Sequence, residues 1–217
     1  AIKYNVCLQH IVYIQIHPTT FYSKEEGRKF LISESVRGEG AILLNAKRER
    51  FVDELLPRDV VTQAIFEEMK KEGSKHVWLS LENIPVEDIK SHFPNIYEYC
   101  LKEGYDITKE PIPVVPSQHY FMGGIMVDTY SKTSMKRLYA VGETACNGVH
   151  GKNRLASNSL LESLVFARRA AEHMMEDYLE VKENREVSID NKQYQNCKEE
   201  YKQAVLTAIE KERESHE

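Results

Sequence analysis

The sequence predicts an α+β chain with more than one part, and three observations carry that prediction. "HIVYIQIHP" (10–18) has apolar residues at both alternating positions, the pattern of a strand buried on two faces. "PRDVVTQAIFEEMKKEG" (57–73) is a fully punctuated helix, with Pro57 at its start, Asp59 in its first turn, lysines in its last turn and Gly73 after it. "EPIPVVP" (110–116) sets three prolines into an extended, helix-free connector, a crossing from one domain to the next.

The other elements follow in chain order. The chain opens at Ala1, not methionine, and "AIKYNVCL" (1–8) looks like the end of a helix, as in a piece of something longer. Pro18 should end the first strand. "RKFLISESVRGEG" (28–40) reads as a short helix closed by Gly38 and Gly40. "AILLN" then runs into the polar turn "AKRE" and out through "RFV", a hairpin. After the helix over 57–73 come a strand in "HVWLSL" (76–81) and two short helices over 85–104, broken at Pro94. "SQHYFMGGIMVD" (117–128) reads as two strand pieces around Gly123 and Gly124, and "KRLYAVGE" (136–143) as a buried strand ending at a glycine and an acid. "HGKNRLASNSLLESLVFARRAAEHM" (150–174) feeds a polar stretch into an apolar helix expected to reach about Leu179. The tail from 181 to 217 is mostly polar, with Tyr194, Cys197, Tyr201, Val205 and Ile209 at helical spacing.

Composition narrows the function. The 217 residues suffice for one good core or two small ones, and 41% hydrophobic with 29% charged residues is an ordinary globular balance. A net charge of −5 without a basic block argues against nucleic acid as a partner. Apolar stretches such as "AVLTAI" (204–209) are far too short for a membrane span, and no signal peptide is visible at the start. Cys7, Cys100, Cys146 and Cys197 are scattered with no CxxC or Cys/His cluster, so no metal site is expected. Dispersed thiols point to a reducing, cytoplasmic setting.

Five cationic or imidazole groups sit at element boundaries beside proline or glycine or at strand ends: His17, Arg37, Arg58, His119 and Arg154. Each alone reads as a surface charge or a turn residue; five together would suit a dicarboxylate, which needs fixed, bidentate donors. Ser33 and Glu34 admit two readings, a helix cap with a first-turn acid, or hydrogen-bond partners for a substrate carboxylate and its arginines. Gly142 and Glu143 likewise read either as a core strand with a turn acid, or as a close backbone approach with a carboxylate for ribose or ribityl hydroxyls. The start of the next helix offers unsatisfied N–H groups and a partial positive charge.

"GETACNGVHGKNRLASNSLLESLVFARRAAE" (142–172) closely resembles the succinate dehydrogenase/fumarate reductase flavoprotein family. "QIHPTTFY" (15–22), "FLISESVRGEGAILLN" (30–45), "LPRDVVTQAI" (56–65) and "HYFMGGIMVD" (119–128) match in order, so the resemblance spans about residues 1–180. Ala156 and Glu162 resemble the aspartate-oxidising branch; succinate dehydrogenases and fumarate reductases usually carry Gly and Asp there. The resemblance implies that His17, Ser33, Glu34, His119 and Arg154 hold the substrate's carboxylates, with Arg37 supporting them. It implies that Arg58 is the proton donor or acceptor, and that Glu143, Ser159 and Leu160, with Asn158 close by, contact FAD. The implied reaction moves a hydride from the α-carbon of L-aspartate to flavin N5, giving iminoaspartate for NAD biosynthesis, with oxygen or fumarate reoxidising the flavin. Arg58 would need a proton relay, since guanidinium stays protonated in most settings.

The resemblance also implies an organisation: the end of an FAD-domain helix (1–13), a substrate-capping domain of the fumarate reductase flavoprotein type (14–113), the C-terminal segment of a Rossmann-like FAD-binding domain (114–180) and a partial helical tail (181–217). Several family features are absent. No GxGxxG is present for the FAD pyrophosphate, "VDELL" is shorter than the relatives' loop before "PRD", and Lys152 replaces a small residue. The chain is therefore expected to need a missing N-terminal FAD-binding half and not to retain FAD by itself. A fumarate reductase or succinate dehydrogenase flavoprotein, and a non-catalytic capping module, are the rival readings.

Overall fold

A computed structural model describes residues 1–25, 27–176, 178 and 197–215. The chain divides into two units: Ala1–Gln15 with Tyr120–Glu217, and Ile16–His119 between them. Both contain helices and sheet, an α+β arrangement.

The second unit is built on a four-stranded sheet. Its strands are β2 (Ile14–Phe21), β3 (Ile42–Leu44), β4 (Val77–Ser80) and β5 (Ile112–Phe121), in the spatial order β2-β5-β4-β3. Pairing of β3 with β4 and of β4 with β5 is antiparallel. The helices are α1 (Glu34–Gly38), α2 (Arg58–Glu72), α3 (Val86–His92) and α4 (Pro94–Lys102). Apolar faces of these elements close one core around Val36, Leu43, Ile65, Leu79, Ile89 and Val114. Helix α2 ends at Gly73, whose φ of 64° provides the left-handed cap.

Three expectations change here. Pro18 does not end its strand, because β2 lies at the sheet edge, where a missing N–H costs no ladder bond. The helix expected from residue 28 is confined to Glu34–Gly38, since Leu31 bridges Thr20 and the segment before Ser33 is held by the strand. Prolines 113 and 116 lie inside β5, not in a connector, and the chain passes between units at 119–120. The hairpin after Ala41 survives as a turn: Asn45 Oδ1 accepts the Lys47 and Glu49 N–H groups at 2.9 and 3.0 Å, but the return strand is a single bridge at Arg50.

In the first unit, β1 (Leu8–Gln9), β6 (Gly124–Met126) and β7 (Ala145–Cys146) form a small sheet, β1 antiparallel and β7 parallel to β6. Ile2–Tyr4 is a single 3₁₀ turn. The buried strand expected over 136–143 is absent: Tyr139 makes one bridge to Lys132, and Gly142–Thr144 is a 3₁₀ turn. Without a neighbouring ladder, its apolar sequence does not become a strand. Helix α5 (Asn158–Glu176) buries Phe166 and Ala170, and α6 is Cys197–Glu214. Of the expected tail helix, Tyr194 lies outside the described residues. Among the described residues, no helix is long and apolar enough to cross a membrane.

Candidate active site

His17, Ser33, Glu34, Arg37, Arg58 and His119 all belong to the second unit. Ser33 is the cap of α1, accepting the Ser35 N–H at 3.3 Å, so Glu34 occupies the first turn and Arg37 the last. Pro57, with an extended backbone, starts α2 and makes Arg58 its first residue. These two helix ends meet: Arg58 Nε donates to Glu34 Oε2 at 3.1 Å, and Arg58 Nη2 makes a second, short bond to the same oxygen. Glu34 Oε1 is 3.6 Å from Arg37 Nη2.

Arg37 is the most unusual member. It is 2% exposed, and its Nη1 donates to the Glu54 carbonyl at 2.6 Å. Its Nε and Nη2 are buried with no hydrogen-bond partner among the described residues. Burial weakens its hold on its proton, Glu34 opposes that, and Arg58 adds to it.

His17 faces the same charges. Its ring centroid is 5.3 Å from that of His119, edge to face, and Thr19 engages Nδ1 through both backbone atoms. Burial, then the positive charges of Arg58 and Arg37 and the neighbouring His119, lower its pKa to about 3 against the Thr19 carbonyl. His17 is therefore neutral at physiological pH. Two guanidinium groups, one carboxylate and a neutral imidazole leave this cluster net positive, suited to an anion.

Arg154, Glu143, Asn158, Ser159 and Leu160 lie in the first unit. Arg154 is 5% exposed; its guanidinium carbon lies 4.5 Å from the centroid of the Tyr120 ring. Its carbonyl accepts Gln15 Nε2 at 2.7 Å, and that amide also reaches Asn153 Oδ1 at 3.1 Å. Glu143 Oε1 accepts the Phe121 N–H at 2.9 Å from its 3₁₀ turn. Ser157 takes a left-handed φ of 65° just before α5, which leaves Asn158 and Leu160 exposed at the helix start.

Thr19, Gln15 and Tyr120 were not singled out from the sequence. Alternation offered the only signal: Gln15 stands in an apolar slot of its strand, Thr19 is two residues after His17, and Tyr120 follows His119.

A family model described as "FAD binding domain" matches residues 7–160. The chain belongs to the FAD-binding domain family. FAD is accordingly its cofactor. The chain is 63% identical over 172 residues to an L-aspartate oxidase of Clostridium perfringens, covering 79% of itself and 39% of that protein. It is 58% identical over 175 residues to an L-aspartate oxidase of Clostridium acetobutylicum, covering 80% of itself and 40% of the relative. The chain thus spans about two fifths of the length of these relatives. Among solved structures, a variant of the FrdA chain of E. coli quinol fumarate reductase matches with a TM-score of 0.73 and 34% identity, over 84% of this chain and 35% of that one. A quinol-fumarate reductase with menaquinol molecules matches with a TM-score of 0.76 and 35% identity, over 85% and 36%.

The residues present fit one end of FAD. The exposed first turn of α5 presents N–H donors, and Leu155, Leu160, Leu161 and Leu164 around it are each more than 60% exposed, an apolar rim for a flat ring system. The chain has no GxGxxG loop to cradle the pyrophosphate.

Proposed function

We propose that this chain is the substrate-capping part and the C-terminal FAD-domain part of an L-aspartate oxidase, acting with an N-terminal FAD-binding half. The capping domain of the fumarate reductase flavoprotein type, expected over 14–113, then corresponds to the second unit, Ile16–His119. The segment that follows, to about 180, is the end of a Rossmann-like FAD domain, and 181–217 a partial helical tail. The observation that carries this reading is the buried Arg37 guanidinium, with two donors lacking hydrogen-bond partners, beside Arg58 and a neutral His17. Glu34 Oε1, 3.6 Å from Nη2, answers part of this charge without hydrogen-bonding either donor, and the cluster of Arg37, Arg58 and Glu34 stays net positive, which suits a substrate carboxylate.

In this reading, as the family resemblance implies, His17, Ser33, Glu34 and His119 of the second unit are carboxylate ligands of L-aspartate, with Arg37 supporting them, and Arg154 of the first unit is assigned the same role. When bound, FAD supplies the hydride acceptor for the α-carbon. Thr19 holds His17 Nδ1, which makes Nε2 the nitrogen for the substrate. Arg58 carries a proton only if another group takes one from its guanidinium, and Glu34 Oε2 is bonded to both Nε and Nη2 for that purpose. Glu143, Asn158, Ser159 and Leu160 face the cofactor. The contribution of these side chains is positioning and electrostatics.

The test is a chimera in which this chain replaces the matching segment of the C. perfringens L-aspartate oxidase. L-Aspartate-dependent peroxide formation is expected, without succinate oxidation. The likeness to quinol fumarate reductase structures supports the rival reading, and succinate oxidation by the chimera without aspartate turnover would establish it.

A further inference from the structure

We propose that Glu54 is a positioning residue for Arg37: its buried side chain pins the loop over 51–57 so that its own carbonyl holds the Arg37 guanidinium. The kinetic consequence, though not the placement, rests on the function proposed above.

Glu54 is 3% exposed, in a loop whose neighbours Asp53 and Leu55 are exposed. A carboxylate is buried only when its oxygens are answered, and here both are. Oε1 accepts the Leu43 N–H at 2.7 Å, and Oε2 accepts Arg50 Nη2 at 2.6 Å and Nε at 3.1 Å. Leu43 lies on β3, the edge strand opposite β2, so Glu54 satisfies a sheet-edge donor and ties the loop to a fully buried core position. The main chain at this anchored residue then offers its carbonyl to Arg37 Nη1 at 2.6 Å.

From there the links are short. Arg37 Nη2 is 3.6 Å from Glu34 Oε1, and Glu34 Oε2 accepts Arg58 Nε at 3.1 Å. Only Arg37 and Glu34 stand between the loop anchor and Arg58. The negative charge of Glu54 also opposes the loss of the Arg37 proton that burial favours. Removing the carboxylate would free the loop, and Arg37 Nη1 would lose the carbonyl that accepts its hydrogen bond while its sequence neighbours stayed in place.

The experiment compares Glu54→Ala, Glu54→Gln and Arg50→Gln with the parent, as the 217-residue chain and within the chimera. In the chain, the Arg37 Nε–H signal, identified by its disappearance in Arg37→Lys, reports placement by its exchange with water. Exchange at least tenfold faster is expected in Glu54→Ala, with the amide signals of Leu79 and Val114 unmoved. Glu54→Gln and Arg50→Gln should each accelerate it about threefold, because one anchor remains, and they decide the matter if Glu54→Ala does not fold. In the chimera, Glu54→Ala should lower kcat at least tenfold, with the KM for L-aspartate within twofold and flavin content unchanged, and Glu54→Gln should recover most of the loss. A general loss of structure would instead lower flavin content. Unchanged Arg37 exchange in all three variants overturns the proposal. Should the parent chimera lack aspartate oxidation, the functional reading fails, and Arg37 exchange still decides the placement.

Discussion

At the scale of single residues, the site combines buried charge with a histidine that stays neutral. With its pKa lowered from 6.5 to about 3, His17 excludes a proton that the unfolded chain binds. Its contribution to stability is therefore complete above about pH 6.5 and is lost as pH falls from there toward 3, by up to about 1.4 kcal/mol per pH unit. Urea unfolding of the chain at pH 6.5, 5.5 and 4.5 should show a shallower decline for His17→Gln than for the parent; parallel declines would sink this account. In the chimera, Arg154→Leu should lower turnover at least about a hundredfold at unchanged flavin content, as expected when a charge-assisted carboxylate contact is removed. Unaltered turnover would remove Arg154 from the substrate site. Singly, each of these arginines and histidines reads as a surface charge or a turn residue, and only the resemblance pointed to a cluster; the second unit brings His17, Arg37, Arg58 and His119 together, which no local pattern encodes. Gln15 and Tyr120 were not legible, because a strand residue that supports its neighbour through an amide or a ring face has the same sequence signature as a core residue.

Elements follow local rules except where tertiary position overrides them. Helix α2 matched its caps because proline, first-turn aspartate and terminal glycine all act within the helix itself. Strand β2 ran through Pro18, and β5 through Pro113 and Pro116, because proline tolerance depends on which side of a strand needs a donor, a fact of the sheet and not of the strand. "KRLYAVGE" failed as a strand for the complementary reason, the lack of a ladder partner among the described residues. The turn between β5 and β6 carries a sharper constraint. A methyl group at Gly123 would strike the carbonyl group of His10 and come within 2.8 Å of Ile11 Cα, all main-chain atoms that cannot step aside. Gly123→Ala should cost the first unit about 3 kcal/mol or more, while Gly104→Ala, with nothing within 4 Å, should show only the smaller strain of its φ of 90°. Equal denaturant midpoints for the two variants would contradict this.

For the whole molecule, the proposed cofactor contacts cover only the ring end of FAD, and the sequence holds no pyrophosphate loop. Titration of the purified chain with FAD should leave flavin fluorescence unquenched at micromolar concentrations; quenching there would show that the GxGxxG loop is dispensable. The exposed leucines on α5 should also bind an apolar dye, and changing Leu161 and Leu164 to serine should reduce that signal. The two-unit division has a consequence for how the chain folds. The first unit is made from two pieces, Ala1–Gln15 and Tyr120–Glu217, and must wait for everything between them. Yet the rings of His17 and His119, at the two ends of the insertion, are 5.3 Å apart. Once folded, the long insertion behaves as a loop of almost no length, and most of the closure entropy is spent before the flanking pieces meet. Synthesis from the ribosome suits this order, because the insertion is complete before the second flank emerges. For the same reason, a chain rejoined between positions 16 and 119 and reopened at the exposed turn at Lys47 should still form the four-stranded sheet.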